Sequence, residues 1–297
     1  MAEKKTKEGA RIVTLNDLLF NVESRQNPRI TNSEYSQIIV GNIYQDEFKG
    51  YLEVDLNYCS SRYELVPNSE IFPNIEQVLN DNGVQYSAQY SQINNARFYV
   101  DYRITDNRYA YQMKQSNGKD TIEPLLRVQH SYNGLTRYKI CFGYYRLVCT
   151  NGLVIPVEEM KHFNLNIIGK HTDSIKHSFK KLDELLKFFV CNAITSKFEL
   201  LGGSMVTNID DRIKEVMNAS GMIIIENPKN KPNVNNVNDI RSRIFNEAHL
   251  YNGQINDWLI FNGINQYLND DNINIAAPEK RQEIDSLVLE YMLETVN

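Results

Sequence analysis

Arginine, lysine and tyrosine interleaved along β-patterned sequence can hold phosphates and stack bases. This chain concentrates them between positions 97 and 149, where nine Lys/Arg stand against four Asp/Glu. Arg97 and Arg103 fall on the parity opposite Phe98, Val100, Tyr102 and Ile104, and Arg127, Arg137 and Lys139 fall opposite Leu126, Val128, Tyr138 and Ile140. Side chains alternate across a strand, so each run sorts into an apolar face and a cationic one. Tyr99, Tyr102, Tyr109, Tyr111, Tyr132, Tyr138, Tyr144 and Tyr145 add aromatic surface. Single-stranded nucleic acid favours such a face, because phosphates take the charge and bases stack on rings at roughly 1–3 kcal/mol each. Arg97, Arg103, Arg127, Arg137, Lys139 and Tyr145 are therefore the candidate nucleic-acid-binding set. The competing reading is structural, since tyrosine suits a pleated, half-buried surface with no ligand at all.

A secondary basic candidate lies on an amphipathic run that Ser174 caps and Gly202-Gly203 ends. Ile175, Phe179, Leu182, Leu186, Phe189, Ala193 and Ile194 form its stripe, and Lys176, Lys180, Lys181 and Lys187 occupy the other faces. Asp183 and Glu184 interrupt the lysines, which favours a solvated helix face over a binding one.

Chemistry beyond binding has little support. No Walker loop, GxGxxG, GxSxG, HExxH or zinc-deaminase pattern occurs, and no cofactor or metal is expected. His130, His162, His171, His177 and His249 include no i, i+4 pair. Cys59, Cys141, Cys149 and Cys191 lack CxxC spacing and sit in apolar settings, as buried free thiols do. Asp210-Asp211 and Asp270-Asp271 read as helix-start charge and loop. A nuclease assembled from distant carboxylates stays open, with nothing to single them out.

The formal net charge of −5 argues against a generic nucleic-acid binder, but the charge is split along the chain. Residues 161–197 hold seven Lys against three acids, whereas residues 246–297 hold two basic residues against nine acidic ones. An acidic C-terminal region offers a protein interface, or a competitor for the basic face. No apolar run approaches the length of a membrane span, and MAEKKTKEGAR has no hydrophobic stretch behind its charges. No membrane partner is expected, and the cytoplasm is the expected location.

The elements that must position the basic set read as an α+β chain. An antiparallel β-meander with a packed helix comes first, and a mainly helical C-terminal subdomain follows. Residues 1–36 read as an N-terminal arm, mobile to residue 12, with a short helix over Thr14–Phe20 and then loop. Residues 37–157 read as the β-rich α+β domain and 158–297 as the helical subdomain. Within the β-rich part, strands are expected over 37–43, 51–58, 63–66, 84–92, 96–104, 109–115, 125–131 and 135–149, with a helix after Pro67 that Asn82-Gly83 closes. Beyond it, helices are expected over 209–217, 240–250, 257–268 and 278–295, with a strand at 221–225 and an Asn/Pro loop at 226–239. The last helix has Ile284, Leu287, Val288 and Tyr291 as its buried stripe, and Trp258, Phe261, Ile264 and Leu268 form the apolar face of the one before.

Register decides which face the cations take. A two-residue Asn133-Gly134 loop would put Val128 opposite Lys139. A three-residue loop over Tyr132, Asn133 and Gly134, with Gly134 left-handed, separates core from cations and is the expectation.

QHSYNGLTR followed by YYRLVCTNGL resembles the signature of a phage- and plasmid-encoded family carrying a domain of unknown function (domain of unknown function 932). WLIFNGINQYLN, Trp258–Asn269, resembles the Trp, Asn and aromatic pattern of that family's C-terminal helix, so the resemblance runs over roughly residues 35–292. It implies no reaction. Two departures stand out: Tyr132-Asn133 where the pattern has His-Asp before the Gly, and Asn262-Gly263 where it has Asn-Ala. A chemistry resting on that His or Asp would be absent here.

The leading expectation is a non-enzymatic DNA-metabolism protein that binds single-stranded DNA along the meander. Its element order and basic sheet are analogous to Rad52-like single-strand annealing proteins, an analogy that implies a homo-oligomer. The rival is a virion-associated or host-interaction structural protein that uses the acidic helical half as its interface.

Overall fold

The structure, a computed structural model, describes residues 10–29, 35–45, 49–63, 65–136, 138–147, 152–154, 167–169, 192–222, 234–270 and 278–296. In chain order the elements are β1 (Ala10–Val13), α1 (Leu15–Leu18), β2 (Val22–Gln26), β3 (Gln37–Gln45), β4 (Gly50–Cys59), α2 (Asn68–Asp81), β5 (Tyr86–Ile93), β6 (Arg97–Ile104), β7 (Tyr111–Gln112), β8 (Thr121–Ser131), β9 (Tyr138–Arg146), β10 (Gly152–Val154), β11 (Ile167–Gly169), α3 (Asn192–Gly203), α4 (Ile209–Ala219), α5 (Val234–Glu247), α6 (Asp257–Leu268) and α7 (Pro278–Thr295). Antiparallel sheets in the N-terminal half and helices towards the C-terminus make the fold α+β. The chain forms two compact units, neither continuous in sequence.

The first unit draws on Met1–Asp106, Leu126–Cys141 and Glu158–Lys187. Its main sheet runs β1–β5–β6–β8–β9, with β11 also paired to β9. One face is apolar, because Phe98, Val100, Tyr102 and Ile104 of β6 share parity and all are buried. Helix α2 adds Ile71, Phe72, Ile75 and Leu79 to the same unit's core. A second, three-stranded sheet, β2–β3–β4, buries Ile39, Ile43 and Leu56. Its register passes from Ile39 opposite Asn57 to Val40 opposite Asp55, so Leu56 is the extra residue of a bulge and turns inward. Gly41 makes room for it: a Cβ there would stand 2.8 Å from Leu56 Cδ1 and 2.9 Å from Phe20 Cε2.

Two local devices hold these pieces. Thr14 caps α1 in a capping box, its hydroxyl accepting from Asp17 N while the Asp17 carboxylate accepts from Thr14 N at 2.8 Å. At α2, Asn68 N–H donates to the Tyr132 hydroxyl at 2.7 Å, and Asn68 Nδ2 donates to the Leu18 carbonyl at 3.0 Å. Tyr132, the residue that departs from the family pattern, thus satisfies a helix-start donor that would otherwise be orphaned in the core.

The second unit draws on Asn107–Leu125, Phe142–Val157 and Phe188–Asn297. There β7 pairs with the start of β8 and β10 with the end of β9, and the helices gather around α6. Every residue of α6 except Gln266 is buried, as a helix packed on all sides must be. At Gly263 an added Cβ would lie 2.6 Å from Ile244 Cγ1 and 3.3 Å from the Ile240 carbonyl, so α5 crosses too close for an alanine.

Several elements differ from the sequence reading. Ala10–Val13 is a strand paired with β5, and Val22–Gln26 is a strand in what read as loop; four- and five-residue strands are too short for alternation to register. Tyr63 and residues 65–66 form no strand, and 109–115 yields only the two-residue β7 and a 3-10 turn, Lys114–Ser116. Helix α5 begins at Val234, inside the expected Asn/Pro loop. In α7 the buried stripe is Ile284, Asp285, Val288, Leu289 and Met292, with Leu287 exposed, so the helix is rotated from the expected face. The body of the amphipathic run from Ser174, and residues 223–225 of the expected strand, lie outside the described residues.

The β8–β9 turn is also wider than expected. Gly134 does take φ +72°, but β8 ends at Ser131 and β9 starts at Tyr138, and the Ser131 hydroxyl bridges to Thr136 N and O. The ring of Tyr138 lies against His130, 6.3 Å between centroids. Val128, Tyr138 and Ile140 are buried while Arg127 and Lys139 are not, so the separation of faces survives the changed loop.

Candidate nucleic-acid interface

Alternation along β6 puts Arg97, Tyr99, Asp101 and Arg103 on the face opposite the core. The β5 ladder sets Arg103 across from Ser87, Asp101 from Gln89 and Tyr99 from Ser91; Ser87 and Gln89 are exposed, and Arg97, Asp101 and Arg103 half-buried. Arg127 of β8 reaches the same face, its Nε and Nη2 each donating to the Asp101 carboxylate at 2.6 Å. On β9, Lys139 and Cys141 share it. Burial pushes the Cys141 thiol up, and the charges of Lys139 and Arg127 oppose that shift.

The structure therefore brings Arg97, Arg103, Arg127 and Lys139 to one sheet face of the first unit. Tyr145 is half-buried in the second unit, paired with Gly152. Arg137, Lys176, Lys180, Lys181 and Lys187 lie outside the described residues.

Two features change how such a face would work. Asp101 was missed in the sequence reading, although it shares the parity of the arginines. Its bidentate pair commits the Arg127 fork to an internal partner. The tyrosines, in turn, are mostly core: Tyr102, Tyr132, Tyr138 and Tyr144 are buried, and Tyr99 is covered by Arg97, whose Nη2 donates to its hydroxyl at 2.7 Å with the guanidinium 5.8 Å from the ring centroid. The face offers charge and hydrogen-bond donors more than open rings.

In the second unit the motif residues build something else. Arg146, from YYRLVCTNGL, donates through Nε and Nη2 to the two carboxylate oxygens of Asp120 at 2.7 and 2.6 Å, and through Nη1 to Glu247. Asp120 also accepts from the Tyr251 hydroxyl at 2.8 Å and from Trp258 Nε1 at 2.9 Å. The Arg146 guanidinium lies 5.7 Å from the Trp258 ring centroid, and Gln266 donates to Glu247. All five residues joined to Arg146 or Asp120 in this way are buried or nearly so, Asp120 completely. Burial and the Asp120 charge push the Tyr251 hydroxyl up, so it stays a proton donor. Such a network is costly unless every member is paired, and here the pairing ties β8 and β9 to the helices of that unit. Asp120 sits in a polar SNGKD stretch that reads as a surface turn, which hid it from sequence reasoning.

Among the described residues no group of His, Cys, Asp and Glu could hold a metal ion, and no helix is long and apolar enough to cross a membrane. A family model, Domain of unknown function (DUF932), matches residues 55–285, and the chain belongs to that family. No curated protein and no solved structure matches it.

Proposed function

We propose that this DUF932 protein binds single-stranded DNA through the cationic face of its first-unit sheet, as a non-enzymatic DNA-metabolism protein of a phage or plasmid acting in the host cytoplasm. One observation carries the reading: Arg97, Arg103, Arg127 and Lys139 share a single sheet face, where Asp101 is paired with Arg127. Phosphates are the natural occupants of such a surface, and polar Ser87 and Gln89 beside the arginines can donate to backbone or base. With Tyr99 covered, affinity rests on ion pairing more than stacking, and sequence preference is slight. The sheet-plus-helix order is analogous to Rad52-like annealing proteins, which extends the proposal to a homo-oligomer.

Fluorescence anisotropy with labelled oligothymidylate across a salt series tests this. Binding should weaken with log salt, by a slope of about −0.7 for each phosphate contacted. Arg97→Gln together with Arg103→Gln should flatten that slope and lower affinity about tenfold or more without unfolding the sheet. Binding that is absent at low salt, or unchanged in the double variant, overturns the proposal and favours a protein-interaction role for the acidic helical half.

A further inference from the structure

Four of the seven exposed large apolar side chains described in the first unit cluster together, while Ile12, Tyr35 and Leu135 lie elsewhere. Tyr51 is 76% exposed, Leu52 50%, Tyr44 48% and Tyr58 47%, all on the β3–β4 hairpin. Ladder partners share a face, so Tyr44 opposite Tyr51, Asn42 opposite Glu53 and Val40 opposite Asp55 define one side of this sheet, with Tyr58 opposite Ile38 at its far end. The same side receives Glu23 and Arg25 from β2, across from Val40 and Ile38. Ile39, Ile43 and Leu56 turn the other way, into the core. Apart from Ile38, Asn42 and the buried Val40, the outward side is thus an aromatic and acidic surface: three tyrosines, three carboxylates and one guanidinium, Arg25, bound to Glu23 and to Glu53 at 2.8 Å, with the Tyr58 hydroxyl donating to Asp55 at 2.6 Å. Tyr44 and Tyr51 meet edge to face at 5.5 Å between centroids, and both rings stay exposed.

Among the described residues the strand order β2–β3–β4 puts the ten-residue β4 at an edge. Edge strands invite a further strand, and clustered exposed aromatics mark interaction surfaces. Charge decides the occupant. Pairing β4 antiparallel with its twin about a two-fold axis keeps each residue on its own side, which brings Glu53 and Asp55 of the two copies against one another, so a second copy is disfavoured. The same carboxylates are an anionic stripe that phosphates avoid. Carboxylates beside exposed tyrosine rings suit guanidinium and ammonium groups, through ion pairs and cation–π contacts together.

We infer that the β3–β4 hairpin is a docking surface for an extended, arginine- or lysine-bearing segment of a partner protein, which adds alongside β4 and sets its basic residues over Tyr51, Glu53 and Asp55. This surface lies on the sheet separate from the cationic face and does not depend on its ligand.

A labelled peptide of alternating arginine and threonine is the probe, with a peptide of alternating glutamine and threonine as its control, titrated by anisotropy into the full chain. The arginine peptide should bind and the glutamine peptide should not. Tyr51→Ala and Glu53→Gln, both at exposed positions, should each weaken binding about tenfold, the loss of one charge-assisted or cation–π contact. Glu290→Gln, an exposed acid on α7, should leave it unchanged. Lack of binding, or equal loss in Glu290→Gln and the hairpin variants, would mean only general attraction to an acidic protein and overturns the inference.

Discussion

The indole Nε1 of Trp258 donates to Asp120 Oδ2 at 2.9 Å, joining positions 138 residues apart, and the same carboxylate holds the Arg146 fork. The Trp of WLIFNGINQYLN and the Arg of YYRLVCTNGL, two stretches that carry the family resemblance, therefore meet on an aspartate that neither stretch contains. Removing one partner leaves the others desolvated without compensation.

Asp120→Ala should accordingly destabilise the fold by about 3–5 kcal/mol, moderated where Glu247 retains Arg146. Trp258→Phe keeps a ring but no donor and should cost about 1–3 kcal/mol. Denaturant titration followed by circular dichroism measures both. An Asp120→Ala midpoint equal to the parent's would show that the network contributes nothing to stability. Trp258 is the chain's one tryptophan, so its emission should be blue-shifted in the native state and report the second unit.

Gly263→Ala should destabilise, by about 1–3 kcal/mol, because the new methyl meets Ile244 Cγ1. Ile244→Ala alone should cost about 2–5 kcal/mol. Together they should cost less than the sum by about 1 kcal/mol or more, since each relieves the other. Additive effects would place the clash elsewhere.

Gly134 poses a cleaner backbone question. Its φ of +72° suits glycine, yet among the described residues a Cβ there meets only Asn57 Nδ2, at 4.0 Å. Space is not limiting, so cost should follow conformational preference alone. Gly134→Val should lose about 1–2 kcal/mol or more and Gly134→Asn distinctly less, as asparagine tolerates the left-handed region. Equal losses for Val and Asn, measured by thermal unfolding, would contradict this.

What the sequence made legible follows from range. Alternation placed Arg97, Arg103, Arg127 and Lys139 on one side of their strands, and left-handed terminator chemistry placed Asn82-Gly83 at the end of α2, because each depends on neighbours a few residues away. Burial and partnership depend on distant residues. Nothing near Tyr132 announces that its hydroxyl meets Asn68, and nothing near Asp120 announces Arg146. The α7 stripe shows the intermediate case: the helix was legible, but which flank met the core was set by elements packed against it, and Leu287 turned outward.

Asp101 supplies the sharpest test of the cationic face. A carboxylate amid four cations repels phosphate and holds Arg127 in a two-pronged pair, both bonds 2.6 Å long. Asp101→Asn removes the repulsion and releases the guanidinium while keeping the side chain's shape. Single-stranded DNA affinity should rise, by about threefold or more, and the log–log salt slope should steepen by about 0.7 as one more phosphate contact forms. Arg127→Gln should act oppositely, because it strips Asp101 of its partner and leaves an uncompensated anion facing the phosphates. The double variant removes a neutral pair, so its affinity should return near the parent's and the two changes should be strongly non-additive. Anisotropy titrations of the four proteins with oligothymidylate at two salt concentrations measure the whole cycle. A fall in affinity on Asp101→Asn would show that DNA, if bound at all, does not lie over this pair.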